Sequence, residues 1–202
     1  MSHSLYSAAT PAVPPLAAPP TAARRRARRV DEMAARLDLQ RELALLVGRV
    51  QGLLAGRAVL EVACGAGWWT RHLALAAHGV LALDDDADLL RAVAAAGKFP
   101  PGRVRFAACE LGGLERVSGA WDAGFSAFLS SALPEPEAAA VLAGLHRRLG
   151  PGARVVLIDE REALGGGDEA AARRRLRDLP PPDAQGVKLD LGAHFWCLGY
   201  TL

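Results

Sequence analysis

The chain has 202 residues, of which 51% are apolar and 23% charged, with a formal net charge of +2. That length favours one domain with room for a tail, and the composition is that of a globular protein. Near-balanced charge argues against a general polyanion-binding surface. The longest apolar run, Leu73–Leu83, is broken by His78 and falls short of the roughly 20 residues a membrane span needs. Three scattered cysteines, Cys64, Cys109 and Cys197, suit neither a disulfide framework nor a zinc cage, and no metal is expected.

Residues 1–23 read as a disordered Pro/Ala-rich tail, because Pro11, Pro14, Pro15, Pro19 and Pro20 stand among small residues with no apolar period. The domain is expected over 24–202. The run Arg24–Arg29 reads as a solvated helix start, with a transit peptide or a nucleic-acid arm as alternatives. Met33, Leu37, Leu43, Leu46, Val47, Val50 and Leu54 then recur at threes and fours, an amphipathic helix. Gly56-Arg57 ends it, and 58–63 predicts a buried strand. A glycine turn at 64–67 opens a helix over 68–77, followed by a strand at 80–83, a helix over 87–96 and strands at 103–107 and 120–128. Pro134, Glu135 and Glu137 start a helix reaching 149. Gly150-Pro151-Gly152 stops it before a strand at 154–159. Arg173–Arg177, beside Asp168 and Glu169, reads as a solvated helix face. Runs at 187–191 and 194–201 around Gly192-Ala193 predict an antiparallel hairpin. Alternating strands and helices imply a doubly wound, mostly parallel seven-stranded α/β sheet of Rossmann-like type, ending in that hairpin.

Such sheets bind ligands beyond the carboxyl ends of their strands. The first strand delivers Glu61-Val62-Ala63-Cys64-Gly65-Ala66-Gly67-Trp68-Trp69-Thr70. Glycines at 65 and 67 let the backbone approach a ligand, and the following helix offers free N–H groups. Thr70 stands where a dinucleotide fingerprint wants Gly or Ala, and Trp68 and Trp69 occupy the space of a pyrophosphate. Glu61 suits a cationic ligand end. Asp84, at the end of the second strand and roughly 20 residues past the glycines, is placed to take ribose hydroxyls.

The stretch Val59–Thr70 resembles motif I of class I S-adenosylmethionine-dependent methyltransferases, in the bacterial small-molecule form E-x-A-C-G-x-G-[YW]-W-T. The resemblance implies S-adenosylmethionine as cofactor and methyl transfer to a small-molecule acceptor. It assigns Glu61 to the ammonium of the methionine tail and the backbone of Cys64, Gly65, Ala66 and Gly67 to lining that tail. Asp84 goes to the ribose, Asp85 to the side of the adenine and Glu110 to the adenine amino group. Ser126 and Phe128 would face the methionine moiety and the acceptor. Two positions depart from the pattern: Ala132 where related sequences carry His, and Val30 where they carry Tyr. Cofactor residues are thus retained and acceptor-side residues altered.

Methyl transfer is an in-line displacement in which positioning does most of the work, so the missing imidazole does not exclude catalysis. Ser126, Ser130 and Ser131 remain as weak catalytic candidates, and an acceptor that ionises unaided would suit them best. His3, His72, His78, His146 and His194 show no metal spacing or evident partner and read as inert. Asp84, Asp85 and Asp86 include a candidate helix cap. Two further readings stand beside the small-molecule enzyme. One is a degenerate, catalytically weak cofactor-binding protein; the other is an RNA or protein methyltransferase using the Arg24–Arg29 arm. The expectations for partners are a small-molecule acceptor, no nucleic acid, no membrane and a possible homodimer. No secretory pattern opens the chain, so a cytoplasmic location is expected.

Overall fold

The computed structural model describes residues 22–161 and 176–202. The tail expected over 1–23 lies outside them except for its last two residues, as do Asp168, Glu169 and Arg173–Arg175. Two compact units divide the chain, Met1–Asp38 and Leu39–Leu202. Helix α1 covers Ala22–Leu54. Its predicted apolar stripe is buried only in its second half: Leu46, Val50 and Leu54 are core residues, whereas Met33 and Leu37 are exposed.

Within Leu39–Leu202 the elements alternate as the sequence implies: β1 (Ala58–Val62), α2 (Trp68–Ala76), β2 (Gly79–Asp84), α3 (Ala87–Ala95), β3 (Val104–Ala108), β4 (Trp121–Ala127), α4 (Leu129–Ala132), α5 (Glu135–Arg148), β5 (Leu149–Glu160), β6 (Gln185–Leu191) and β7 (Phe195–Thr201). They build one seven-stranded sheet in the order β3-β2-β1-β4-β5-β7-β6. The pairs among β1 to β5 are parallel, and β7 runs antiparallel to both β5 and β6. This is the expected doubly wound sheet with its terminal hairpin. Strand order reverses between β1 and β4, which opens a crevice at their carboxyl ends.

Both faces of the sheet are covered, so its strands read as continuous apolar runs. Side chains alternate between two cores. Val59, Phe125, Val156 and Ile158 join α1 and α2 on one face. Leu60, Val62, Val155, Leu157, Leu198 and Tyr200 join α5 on the other. Glu61 is the charged member of this otherwise apolar β1, and it is fully buried.

Local chemistry sets the helix ends. Asp86 caps α3, its side chain accepting from Leu89 N–H at 2.9 Å, and is the capping member of the aspartate triplet. Glu135 and Glu137 occupy the first turn of α5 and Arg147 and Arg148 its last, each charge opposing the local helix dipole. Strand β5 starts five residues earlier than 154, at Leu149. Leu149 pairs with Trp121, and Gly152 N–H donates to Leu202 O at 2.7 Å, so neighbouring backbone holds the Gly-Pro-Gly segment in the sheet. A 3-10 helix over Leu111–Arg116 and the four-residue α4 are too short to leave a periodic signal in sequence. Among the described residues, no helix is long and apolar enough to cross a membrane.

Candidate active site

A cavity of about 440 Å³ opens at the carboxyl ends of β1, β2 and β4. Its walls come from the β1–α2 loop (Ala63, Cys64, Gly65, Ala66), from Trp68 and Trp69 of α2, from Asp84 and Asp85, and from the Phe128–Leu133 segment. Glu61 lies at its floor.

The loop after β1 is shaped by three left-handed residues, Ala63 (φ 58°), Gly65 (φ 51°) and Gly67 (φ 70°). A side chain at Gly67 would press on Val93 Cγ1 at 3.0 Å and Phe99 Cζ at 3.2 Å, while a Cβ at Gly65 would meet nothing within 4 Å. Gly67 is therefore required by packing as well as by φ, and Gly65 leaves backbone bare at the cavity. Phe128, at the end of β4, is the second non-glycine residue with positive φ (63°) among the described residues. The two strained alanine and phenylalanine positions end adjacent strands on opposite sides of one cavity, the setting in which backbone strain accompanies function.

Asp84 is buried and engaged: its Oδ2 accepts from Gly65 N–H at 2.7 Å and its Oδ1 from Asp86 N–H at 3.2 Å. It thus clamps the glycine loop while keeping further lone pairs on both oxygens. Asp85, beside it, is exposed at the cavity rim. Glu61 differs. Its Oε2 and the hydroxyl of Thr70, at the start of α2, are buried, and neither makes a hydrogen bond of good geometry among the described residues. Burial, reinforced by the Asp84 carboxylate and opposed by the nearby Thr70 hydroxyl, pushes the Glu61 carboxyl up from 4.5 to about 8. Burial also raises the Cys64 thiol, and the Glu61 and Asp84 carboxylates add to that rise. Cys64 is consequently a wall and not a nucleophile.

The two tryptophans divide their roles. Both line the cavity, but Trp69 is also core, its ring 5.3 Å from that of Phe125, whereas Trp68 is 39% exposed.

The structure brings Glu61, Cys64, Gly65, Ala66, Asp84, Asp85 and Phe128 to one cavity, with Gly67 supporting the loop from behind. Glu110 is exposed and lines a neighbouring groove with Arg105 and Arg116, whereas Leu111 faces the cavity. The three serines are also elsewhere. Ser126 is buried on the opposite sheet face and donates to Val62 O at 3.0 Å. Ser130 and Ser131 give their N–H groups to Asp159 Oδ2 at 2.6 and 3.1 Å, and Ser131 Oγ donates to Phe128 O. These contacts pin α4 to the end of β5 and so fix the Phe128 wall. The apolar residues Leu111, Leu129 and Leu133 complete the lining; as ordinary leucines they carry no sequence signal.

The described sheet order, with its antiparallel β7 and a glycine loop after β1, is the class I S-adenosylmethionine-dependent methyltransferase fold. Residues 59–152 match the family described as a methyltransferase domain. Among solved structures, a DhpI–SAH complex superposes with a TM-score of 0.60 at 25% identity, covering 86% of this chain and 91% of that one. Magnesium protoporphyrin IX methyltransferase (ChlM) from Synechocystis, with bound SAM, gives 0.59 at 18% identity over 83% and 81%. The N-methyltransferase NodS from Bradyrhizobium japonicum, in complex with S-adenosyl-l-homocysteine, gives 0.58 at 16% identity over 80% and 86%. No curated protein sequence matches the chain.

Proposed function

We propose that the protein is an S-adenosylmethionine-dependent methyltransferase acting on a small-molecule acceptor by in-line transfer. The observation that carries this reading is the buried Glu61 carboxyl at the floor of a cavity, one oxygen of which makes no hydrogen bond of good geometry among the described residues. A buried carboxyl is costly to ionise, and a cationic ligand group stabilises the ionised form. The ammonium of the methionine tail fits this position. Asp84, held by Gly65 and Asp86, offers two fixed oxygens to a ribose diol. The bare backbone at Gly65 admits the tail, and Asp85 with Leu111 borders the adenine side. The donor residues thus fit the cofactor.

When bound, S-adenosylmethionine supplies a methyl carbon activated by its sulfonium leaving group. The chain contributes orientation: Glu61 and Asp84 anchor the two ends, and the walls formed by Trp68, Phe128 and Leu133 exclude water from between them. Holding two reactants in line is worth about 7–11 kcal/mol of barrier, so the fold needs no strong acid or base in the cavity itself.

Thermal unfolding with and without S-adenosylhomocysteine tests this reading. At ~100 times its dissociation constant the ligand adds about 2.7 kcal/mol, and Asp84→Ala is expected to abolish the shift. A wild-type protein with no shift refutes the assignment.

A further inference from the structure

A second cavity, of about 360 Å³, opens at the carboxyl ends of β4 and β5. It lies on the other side of the sheet from Glu61. Leu157 and Trp196, which line it, belong to the core against α5. Glu61 stands between Leu60 and Val62, two members of that same core, so its side chain leaves the opposite face. Leu129 lines both cavities, which makes α4 the partition between them.

The titratable groups of this second lining are all acids. Glu135, Asp159 and Asp178 contribute carboxyl groups, and no Lys, Arg or His stands among the described residues that line it. Glu135 and Asp178 are exposed, whereas Asp159 is 1% exposed. Its Oδ2 accepts from Ser130 and Ser131 N–H at 2.6 and 3.1 Å, and its Oδ1 from Glu160 N–H at 2.8 Å. These bonds supply dipoles but no counter-charge. Trp196 is paired with Asp159 across β5 and β7. It is 2% exposed, and its indole N–H makes no hydrogen bond of good geometry among the described residues. A buried donor left unpaired costs free energy that a ligand acceptor recovers. The remaining wall is apolar, with Leu129, Leu142 and Leu176.

Each feature selects one part of a ligand. Carboxyl groups without a counter-charge take a cation, the leucines take a hydrocarbon body, and the indole N–H takes a neutral oxygen. A metal ion is a poor fit, because a wall of leucines offers a hard cation too few oxygens. Among the described residues no group of His, Cys, Asp and Glu is arranged to hold one. We infer that this cavity is a second ligand site, for a small amino alcohol with an apolar body, occupied independently of the cofactor cavity. The inference goes beyond the methyltransferase reading and does not rest on it. With α4 between the two cavities, this ligand is not the methyl acceptor.

Calorimetry on the full chain at pH 7 tests the assignment, with leucinol as the probe. Saturable binding at one site per chain is expected, with the same stoichiometry when S-adenosylhomocysteine is already bound. Isohexanol, which lacks the ammonium, is expected to bind roughly 10-fold or more weakly, and isopentylamine, which lacks the oxygen, about 2–10-fold more weakly. Ala139→Trp, at an exposed position of α5 that lines the cavity, is expected to abolish leucinol binding and leave S-adenosylhomocysteine binding unchanged. Glu135→Gln with Asp178→Asn is expected to weaken leucinol but not isohexanol, a split that a steric defect does not produce. Displacement of leucinol by S-adenosylhomocysteine, its survival in Ala139→Trp, or equal affinity for leucinol and isohexanol overturns the site. So does an N-methylated product with S-adenosylmethionine, or no saturable binding at millimolar leucinol. Binding that appears only when Arg173, Arg174 and Arg175 are replaced by alanine assigns the cavity to the chain's own cations and overturns it equally. A protein that binds leucinol in this pattern but not S-adenosylhomocysteine keeps this site and loses the methyltransferase reading.

Discussion

Replacing Glu61 with Gln separates its charge from its shape. In the folded protein the carboxyl is raised from 4.5 to about 8 by burial, so the native state holds a proton that the unfolded chain releases over that interval. A raised acid contributes stability that is fully present below the unfolded value and lost as pH climbs through the folded one. At about 1.36 kcal/mol per pH unit, the loss between pH 5.5 and 7.5 is about 3 kcal/mol. For a chain of this size that is a fall in melting temperature of roughly 6–12 °C. The glutamine side chain has no such proton to lose, so Glu61→Gln is expected to flatten this slope and to be more stable than wild type at pH 8.5. The assay is urea or thermal unfolding of both proteins across pH 5.5–8.5 without ligand. His72 and His146, whose pKa values burial lowers, titrate in both proteins and cancel in the difference. Parallel pH slopes for wild type and Glu61→Gln would refute the account of a neutral, unpaired acid in the cavity floor.

Three further outcomes follow from the same geometry. Gly67→Ala places a methyl against Val93 and Phe99 at positive φ and is expected to cost about 1–3 kcal/mol in urea unfolding; Gly65→Ala, facing open space, costs less stability yet weakens S-adenosylhomocysteine binding measured by calorimetry. Asp84→Asn retains an oxygen for Gly65 N–H but loses the charge, and at about 1.5–3 kcal/mol for a charged hydrogen bond the dissociation constant is expected to rise roughly 10–100-fold. Thiol labelling of native protein is expected to modify half-buried Cys109 first, with buried Cys64 and Cys197 reacting only on the timescale of unfolding; rapid modification of Cys64 contradicts its place in the wall.

The fold was legible because both periods are strongly written. Most of strands β1 to β5 are apolar runs separated by helices, β3 and β4 excepted, and the hairpin turn at Gly192-Ala193 ends the sheet where expected. Glu61 and Asp84 were legible because a charge in or just after a buried strand has little structural reason to be there. Ser126, expected to face the methionine moiety, lies outside the lining of the Glu61 cavity for a specific reason. A strand buried on both faces has no polar alternation to show which residue faces the crevice, and the Glu61↔Phe125 register turns Ala127, not Ser126, toward it. Phe128 was anticipated as a lining residue, but its left-handed backbone, which starts α4 and shapes the wall, has no sequence mark. The hydrogen bond between Glu42 of α1 and His194 of the β6–β7 turn, at 2.9 Å, was illegible altogether. Nothing local links a glutamate inside a helical stripe to a histidine after a hairpin glycine, and only the packing of the second half of α1 on the sheet brings them together.

Calorimetric titration of S-adenosylhomocysteine at pH 7, in two buffers of different ionisation enthalpy, tests the central claim most directly. A carboxyl with a pKa of about 8 is roughly nine-tenths protonated at pH 7 and must ionise to take an ammonium. The account predicts saturable binding at one site per chain with release of close to one proton, and no such release in Glu61→Gln. Binding without proton release would contradict the role of Glu61, and no binding at all would contradict the methyltransferase reading itself.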